Sequence, residues 1–253
     1  MLNIDLYAGL GGWSDGFLAE GFDCIGFDIE RHDYGTSGYP GQLVLQDVRQ
    51  LHGSQFKAAA CIVASPPCTE YSYMAMPWSR GKQIARALRG KDEFPDDYTG
   101  SRTIDKLNEL FNACFRIQRE ACEAAGRHIP MVVENVRGAI QWVGPAKANY
   151  GSFYLWGDIA MVGDRIMRPD MQGEWLRSFH MAGSGIKNPG MNWSKYGQPG
   201  YRAEGFNDKN EQRFRAGVKH SASKSDSRKA ASAMIAKIPE PLSRFIARCY
   251  RPC

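Results

Sequence analysis

Short apolar runs alternate with amphipathic stretches over the first half of the chain. Leu2–Tyr7 reads as a strand that starts almost at the first residue, Gly9-Leu10-Gly11-Gly12 as a turn, and Trp13–Glu20 as a helix. Phe22–Ile29 reads as a second strand, Val44-Leu45 as a short third one ending at Asp47, and Ala58–Ala64 as a fourth. Ser101–Ala125 has helical spacing, with Ile104, Leu107, Leu110, Phe111, Cys114, Phe115 and Ile117 apolar and Ser101 as the N-cap. Met131-Val132-Val133 reads as a fifth strand that runs out into Glu134-Asn135. Strands alternating with helices predict an α/β fold around a parallel sheet, with ligands beyond the carboxyl ends of its strands.

The pattern changes twice. Tyr73–Tyr98 is polar and carries Arg80, Lys82, Arg86, Arg89 and Lys91, which predicts a mobile loop. From Gly144 to about Ser227 the chain is rich in Gly, Asn, Ser, Tyr and Trp with few periodic apolar positions, which predicts an irregular insertion. Ala230–Arg251 returns to helical patterning. Pro239 and Pro241 interrupt it, so a final helix is expected over Pro241–Tyr250.

Composition narrows the class. A chain of 253 residues, 43% hydrophobic and 23% charged, suits one large domain or one domain with a small insertion. No run approaches the length of a membrane span, and Met1-Leu2-Asn3-Ile4-Asp5 lacks the basic and apolar regions of a signal peptide. The seven cysteines show no CxxC spacing, so reduced thiols in a cytoplasmic protein without a structural metal are expected. Net charge is +5, concentrated in Arg213, Arg215, Lys219, Lys224, Arg228 and Lys229, a run that favours phosphate contacts.

The candidate chemistry falls at strand ends. Asp5 precedes the glycine-rich turn, which lacks the Lys-Ser/Thr of a P-loop, so the acid argues for a ligand with a positive centre such as S-adenosylmethionine rather than a triphosphate. Asp28, ending the second strand, suits ribose hydroxyls, with Ile29 packing on an adenine and Glu30 as the alternative acid. Asp47 can accept from an adenine amino group. Ser65-Pro66-Pro67-Cys68-Thr69-Glu70 ends the fourth strand in a proline-fixed turn that presents one cysteine, a place for a nucleophile. A Cys–His hydrolase is the competing reading, but His32, His52, His128, His180 and His220 occupy no well-defined strand end. Glu134 could hydrogen-bond a heterocyclic ring nitrogen.

Taken together, Asp5-Leu6-Tyr7-Ala8-Gly9-Leu10-Gly11-Gly12, Ser65-Pro66-Pro67-Cys68 and Glu134-Asn135-Val136 resemble the C5-cytosine DNA methyltransferases, in the compact phage- and prophage-borne form. Tyr7 stands in the aromatic place of the first motif, and Thr69 where the family has Gln. Lys237-Ile238-Pro239-Glu240-Pro241-Leu242 is similar to the last family motif, with Ala231-Ser232 in place of its Gly-Asn. The resemblance covers roughly residues 1–160 and 228–250. It implies a Rossmann-like class I methyltransferase sheet, with a catalytic and cofactor domain at 1–157, a small target-recognition region at 158–227, and a segment at 228–253 that returns to the catalytic domain. Cys68, Glu134, Asn135 and Pro67 are the implied catalytic residues. Asp5, Tyr7, Gly9, Gly11, Gly12, Asp28, Ile29, Glu30, Asp47 and Pro66 are the implied sites for S-adenosylmethionine. Double-stranded DNA is the implied partner, a cognate restriction endonuclease is admissible, and a monomer or weak dimer in a bacterial or phage-infected cytoplasm is expected.

One departure stands out. The family's Gln-x-Arg-x-Arg motif follows a Tyr-Gly pair, yet Tyr150-Gly151 is followed by Ser152-Phe153-Tyr154-Leu155-Trp156-Gly157. Arg165, Arg168 and the looser echo Gln212-Arg213-Phe214-Arg215 lie further on. The same chemistry on an RNA cytosine, and a catalytically weak DNA-binding decoy, are the two alternative readings.

Overall fold

A computed structural model describes residues 1–32, 38–71, 77–150, 152–159, 233 and 236–251. Its centre is a seven-stranded sheet, β1 (Leu2–Leu6), β2 (Asp23–Asp28), β3 (Gln42–Leu45), β4 (Cys61–Ala64), β5 (Met131–Asn135), β6 (Ala148–Tyr150) and β7 (Phe153–Gly157), in the order β3-β2-β1-β4-β5-β7-β6. β7 runs antiparallel to β5 and β6, and the other pairings are parallel. The expected Rossmann-like α/β sheet is therefore present. The chain leaves β1 toward β2 and β3 and then crosses back to β4, so the topological switch lies between β1 and β4.

Strands buried on both sides need apolar residues at every position. β4 meets that demand with Cys61, Ile62, Val63 and Ala64, each with no solvent exposure. Successive side chains then divide between two cores. Ile62, Ala64, Met131 and Val133 pack with Leu107, Phe111, Cys114 and Ile117 of α3 (Ile104–Ala125). Cys61, Val63 and Val132 pack with Trp13 and Phe17 of α1 (Gly12–Ala19) and with Leu242, Phe245 and Ile246 of α4 (Glu240–Tyr250).

The last helix lies directly on the first. A Cβ at Gly16 would strike Ser243 and the Arg244 backbone, and one at Gly12 would sit 2.5 Å from the Ile238 nitrogen. Glycine is what permits this approach. The Ser243 hydroxyl, fully buried, donates to the Trp13 carbonyl. Ion pairs clamp the rim, Lys237 to Asp15 at 2.7 Å and Arg244 and Arg248 to Glu20 at 2.8 and 3.0 Å.

Three expectations need correction. The polar stretch Tyr73–Tyr98 contains an eleven-residue helix, α2 (Trp78–Leu88), whose Ile84, Ala85 and Ala87 are buried. The irregular character expected from Gly144 does not hold over Ala148–Gly157, where β6 and β7 form a hairpin within the sheet. The N-cap of α3 is Thr103, whose hydroxyl accepts from the Lys106 N–H, while Ser101 is tied to the Glu70 carboxylate. The run Arg213–Lys229, Arg165, Arg168 and nearly all of 158–227 lie outside the described residues.

Candidate active site

The turn after β1 is built by its neighbours. The Ala8 N–H continues the β1–β2 ladder to the Phe27 carbonyl, the Gly9 N–H donates to Asp28 Oδ2 at 2.9 Å, and the Gly11 N–H closes the turn onto the Ala8 carbonyl. Gly11 caps α1 with φ 72°, a left-handed conformation that glycine adopts without penalty. Tyr7 holds φ 60° with a side chain, a strain of about 1–2 kcal/mol. Its hydroxyl donates to the Leu110 carbonyl of α3 at 2.8 Å, so this ring belongs to the scaffold under the turn.

Asp5 also lies beneath the turn, 1% exposed. Its Oδ2 accepts from the Ser14 hydroxyl at 2.7 Å and from the Tyr39 hydroxyl at 3.4 Å, and its Oδ1 is buried without a partner among the described residues. Burial pushes this carboxyl up to about 8, against the pull of the Ser14 and Tyr39 hydroxyls and with the help of Asp28 and Asp15. Asp28 braces three backbone groups, the N–H of Gly9, Ile29 and Glu30. Beside it Ile29 is 71% exposed, an apolar face at the rim of the turn, with Glu30 next to it and in reach of His32. Asp47 differs. It caps the short helical turn Val48–Gln50 and takes the Arg49 guanidinium on both oxygens, at 2.6–3.1 Å. Those bonds hold its carboxyl below the ordinary range.

The proline turn after β4 is fixed at several points. Asn135, 1% exposed, donates from Nδ2 to the Pro66 carbonyl at 2.9 Å and accepts the Val136 N–H on Oδ1. The Tyr71 N–H donates to the Cys68 carbonyl, and the Tyr71 hydroxyl is anchored at the Leu107 carbonyl and Asn108. Glu70 takes the N–H and hydroxyl of Ser101. Pro66 is buried, Pro67 exposed and Cys68 half-buried.

Glu134 reaches the same place from β5. The β4–β5 register pairs Ala64 with Val133, so the next pair along is Ser65 and Glu134. Both point to the α1 side of the sheet, following Val63 and Val132. The Glu134 residue is 8% exposed, and burial pushes its carboxyl up to about 8 against the Ser65 hydroxyl, which pulls it down. Burial, and the negative charge Glu134 would carry, push the Cys68 thiol above its ordinary value. A neutral Glu134 removes the second of those costs, so a protonated acid and a thiolate can coexist here.

Cys68, Glu134, Asn135 and Pro66 thus meet at the ends of β4 and β5, beside the Gly9–Gly12 turn that ends β1. Asp28, Ile29 and Glu30 line the end of β2, and Asp47 stands further out beyond β3. Tyr7 and Asp5 support the turn from below. Sequence reasoning missed Ser65 and Trp13. The indole N–H of Trp13 donates to Ser65 Oγ at 2.9 Å. The available signal was the serine preceding the double proline, and the only indole in the first turn of α1. A hollow of about 490 Å³ on the α3 face, lined by Phe111, Phe115, Arg119 and Trp156 among others, contains none of these residues.

Residues 1–84, one third of the chain, match the model of the C-5 cytosine-specific DNA methylase family. No curated protein matches the sequence. Among solved structures, an E. coli prophage-encoded protein named as a DNA modification methyltransferase is similar at 23% identity and TM-score 0.34, over 56% of this chain and 33% of that one. The DNMT2 of Spodoptera frugiperda is similar at 20% identity and TM-score 0.27 (55% and 37%), and the methyltransferase EhMeth of Entamoeba histolytica at 13% and 0.34 (57% and 40%). The chain aligns with well under half the length of each of these proteins.

Proposed function

We propose that the chain transfers a methyl group from S-adenosylmethionine to carbon 5 of cytosine in DNA. The observation that carries this reading is the meeting of a buried Glu134, whose burial favours the protonated form, with a half-buried Cys68 in the turn that follows the adjacent parallel strand, next to a glycine turn. The family match over residues 1–84 spans that turn and the nucleophile.

The residues around the turn suit the donor. Gly9–Gly12 leave backbone open to close approach, Asp28 or Glu30 can accept from ribose hydroxyls, and the exposed Ile29 offers an apolar face to an adenine. Asp47, already committed to Arg49, retains lone pairs for an amino group. Pro66 closes the side toward Cys68. The bound donor supplies an electrophilic methyl group.

The chain's own residues do the rest. Cys68, its proton lost to solvent, forms a bond from sulfur to C6 of the cytosine and makes C5 nucleophilic. Glu134 donates its hydrogen bond to N3 and offsets the charge that develops there. Asn135 keeps the Pro66–Cys68 backbone at a fixed distance from β5. After methylation the C5 proton leaves to solvent, and β-elimination breaks the C6–S bond and frees Cys68. A cytosine in a duplex must leave the stack to reach this site, at about a few kcal/mol.

The test is methyl transfer by the purified chain to cytosine-containing duplex DNA and to structured RNA in competition, followed by mapping of the product base. Label at C5 of duplex cytosine is expected. Label in RNA alone would reassign the acceptor. Tight duplex binding without any label would make the protein a decoy.

A further inference from the structure

We propose that Trp13 and Ser65 are positioning residues that orient the Glu134 carboxyl and set which of its oxygens carries the proton. The inference rests on the function proposed above and deepens it, by naming what controls the acid of that site.

The geometry runs through three separate parts of the chain. Trp13, 2% exposed, sits in the first turn of α1, directly after the glycine turn. An indole N–H can only donate. At 2.9 Å it occupies a lone pair of Ser65 Oγ and so fixes the rotation of that hydroxyl. Ser65 has one proton to give. Its parallel-strand neighbour on the same face is Glu134, and the Ser65 hydroxyl pulls that carboxyl toward its charged form. The direction is thereby imposed: Trp13 donates to Ser65, and Ser65 donates to Glu134. One Glu134 oxygen becomes an acceptor held by the protein. The proton resides on the other oxygen, which is left to face a base.

The surroundings leave Ser65 as the main polar influence. β7 places Leu155 opposite Glu134, β4 contributes Val63, and α1 contributes the indole. Cys68 is the titratable group that feels the Glu134 charge among the described residues. No lysine, arginine or histidine among them shifts the Glu134 carboxyl. A hydrogen bond to the charged form favours that form, so removing Ser65 must raise the midpoint of Glu134 further.

The experiment reads Glu134 directly. The carboxyl of Glu134 is titrated by isotope-edited infrared or ¹³C NMR in the full-length wild type, Ser65→Ala, Ser65→Thr and Trp13→Phe, and pH–rate profiles of methyl transfer are recorded in parallel. Ser65→Ala is expected to raise the Glu134 midpoint by about one pH unit, the scale of one hydrogen bond to a charged group. Its rate at neutral pH should fall about tenfold, with the KM for S-adenosylmethionine unchanged. Ser65→Thr keeps the hydroxyl, suits the extended backbone before proline, and should restore both values. Trp13→Phe should move the midpoint in the same direction by less. An unchanged Glu134 midpoint in Ser65→Ala overturns the proposal, as does a Ser65→Thr variant that behaves like Ser65→Ala. The titration does not require turnover. An inactive wild type with a Ser65-dependent midpoint would therefore refute the proposed function while upholding the relay.

Discussion

Glu134 and Asp47 are both acids at or just past the ends of parallel strands in one sheet, and the protein treats them in opposite ways. Asp47 lies at the sheet's edge with Arg49 across both oxygens, and its carboxyl is held ionised. Glu134 lies on a central strand with no cation against it among the described residues and one hydroxyl for company, and burial pushes its carboxyl up to about 8. A charge-compensated acid at the surface can bind but not give a proton. A buried, uncompensated acid can give one at neutral pH. The difference teaches that strand-end position alone does not assign a role. The neighbours of each carboxyl do.

Four changes would break or sharpen this contrast. The largest effect is expected from Cys68→Ala, which should reduce methyl transfer to background while the variant still binds S-adenosylmethionine, as measured by calorimetry. Glu134→Gln follows, with a loss of about 10²–10⁴-fold in rate and a fold intact by circular dichroism. Glu134 also ties stability to pH. Its folded midpoint lies above its unfolded one, so the native state binds more protons between about 4.5 and 8, and this contribution is lost as pH rises through that window. The same holds for Asp5. Denaturant midpoints should therefore fall from pH 5 to pH 8, and fall less steeply in Glu134→Gln. Asn135→Ala is expected to cost about 1–3 kcal/mol, because the buried Pro66 carbonyl loses its donor. It should also slow transfer by loosening Cys68. Asp47→Ala is the smallest change, within about 1 kcal/mol in stability as an exposed pair. Its effect should appear in donor affinity, with turnover at saturating donor preserved. A large loss in that turnover would erase the contrast with Glu134.

Much of this was legible in the sequence, for a physical reason. β4 and β5 are buried on both faces, so their apolar runs are continuous and their ends are sharp, and Cys68, Glu134 and Asn135 stand at those ends. The helix α2 was not legible. Its described apolar face is short, with Ile84, Ala85 and Ala87 buried and Leu88 partly so, and it is flanked by Arg80–Asp97 and Arg86–Asp92 ion pairs that pattern reading scores as loop polarity. The β6–β7 hairpin was hidden by its Asn, Gly and Ser residues, although Phe153-Tyr154-Leu155-Trp156 carries an aromatic strand signal. Ser101 was the expected N-cap, but the nearby Glu70 takes its N–H and hydroxyl, and Thr103 caps the helix instead. The Trp13–Ser65 bond joins residues 52 apart in sequence, and no local pattern encodes such a contact.

The most direct test of the central claim, that Cys68 and Glu134 form one reaction centre aimed at a pyrimidine, is trapping with a duplex carrying 5-fluorocytosine in the presence of S-adenosylmethionine. Fluorine at C5 cannot leave as a proton does, so the C6–S bond should persist. A denaturation-resistant protein–DNA adduct is predicted. Peptide mass mapping should place it on Cys68, and Glu134→Gln should form it far more slowly. An adduct on another residue, or an adduct rate indifferent to Glu134, would contradict the account.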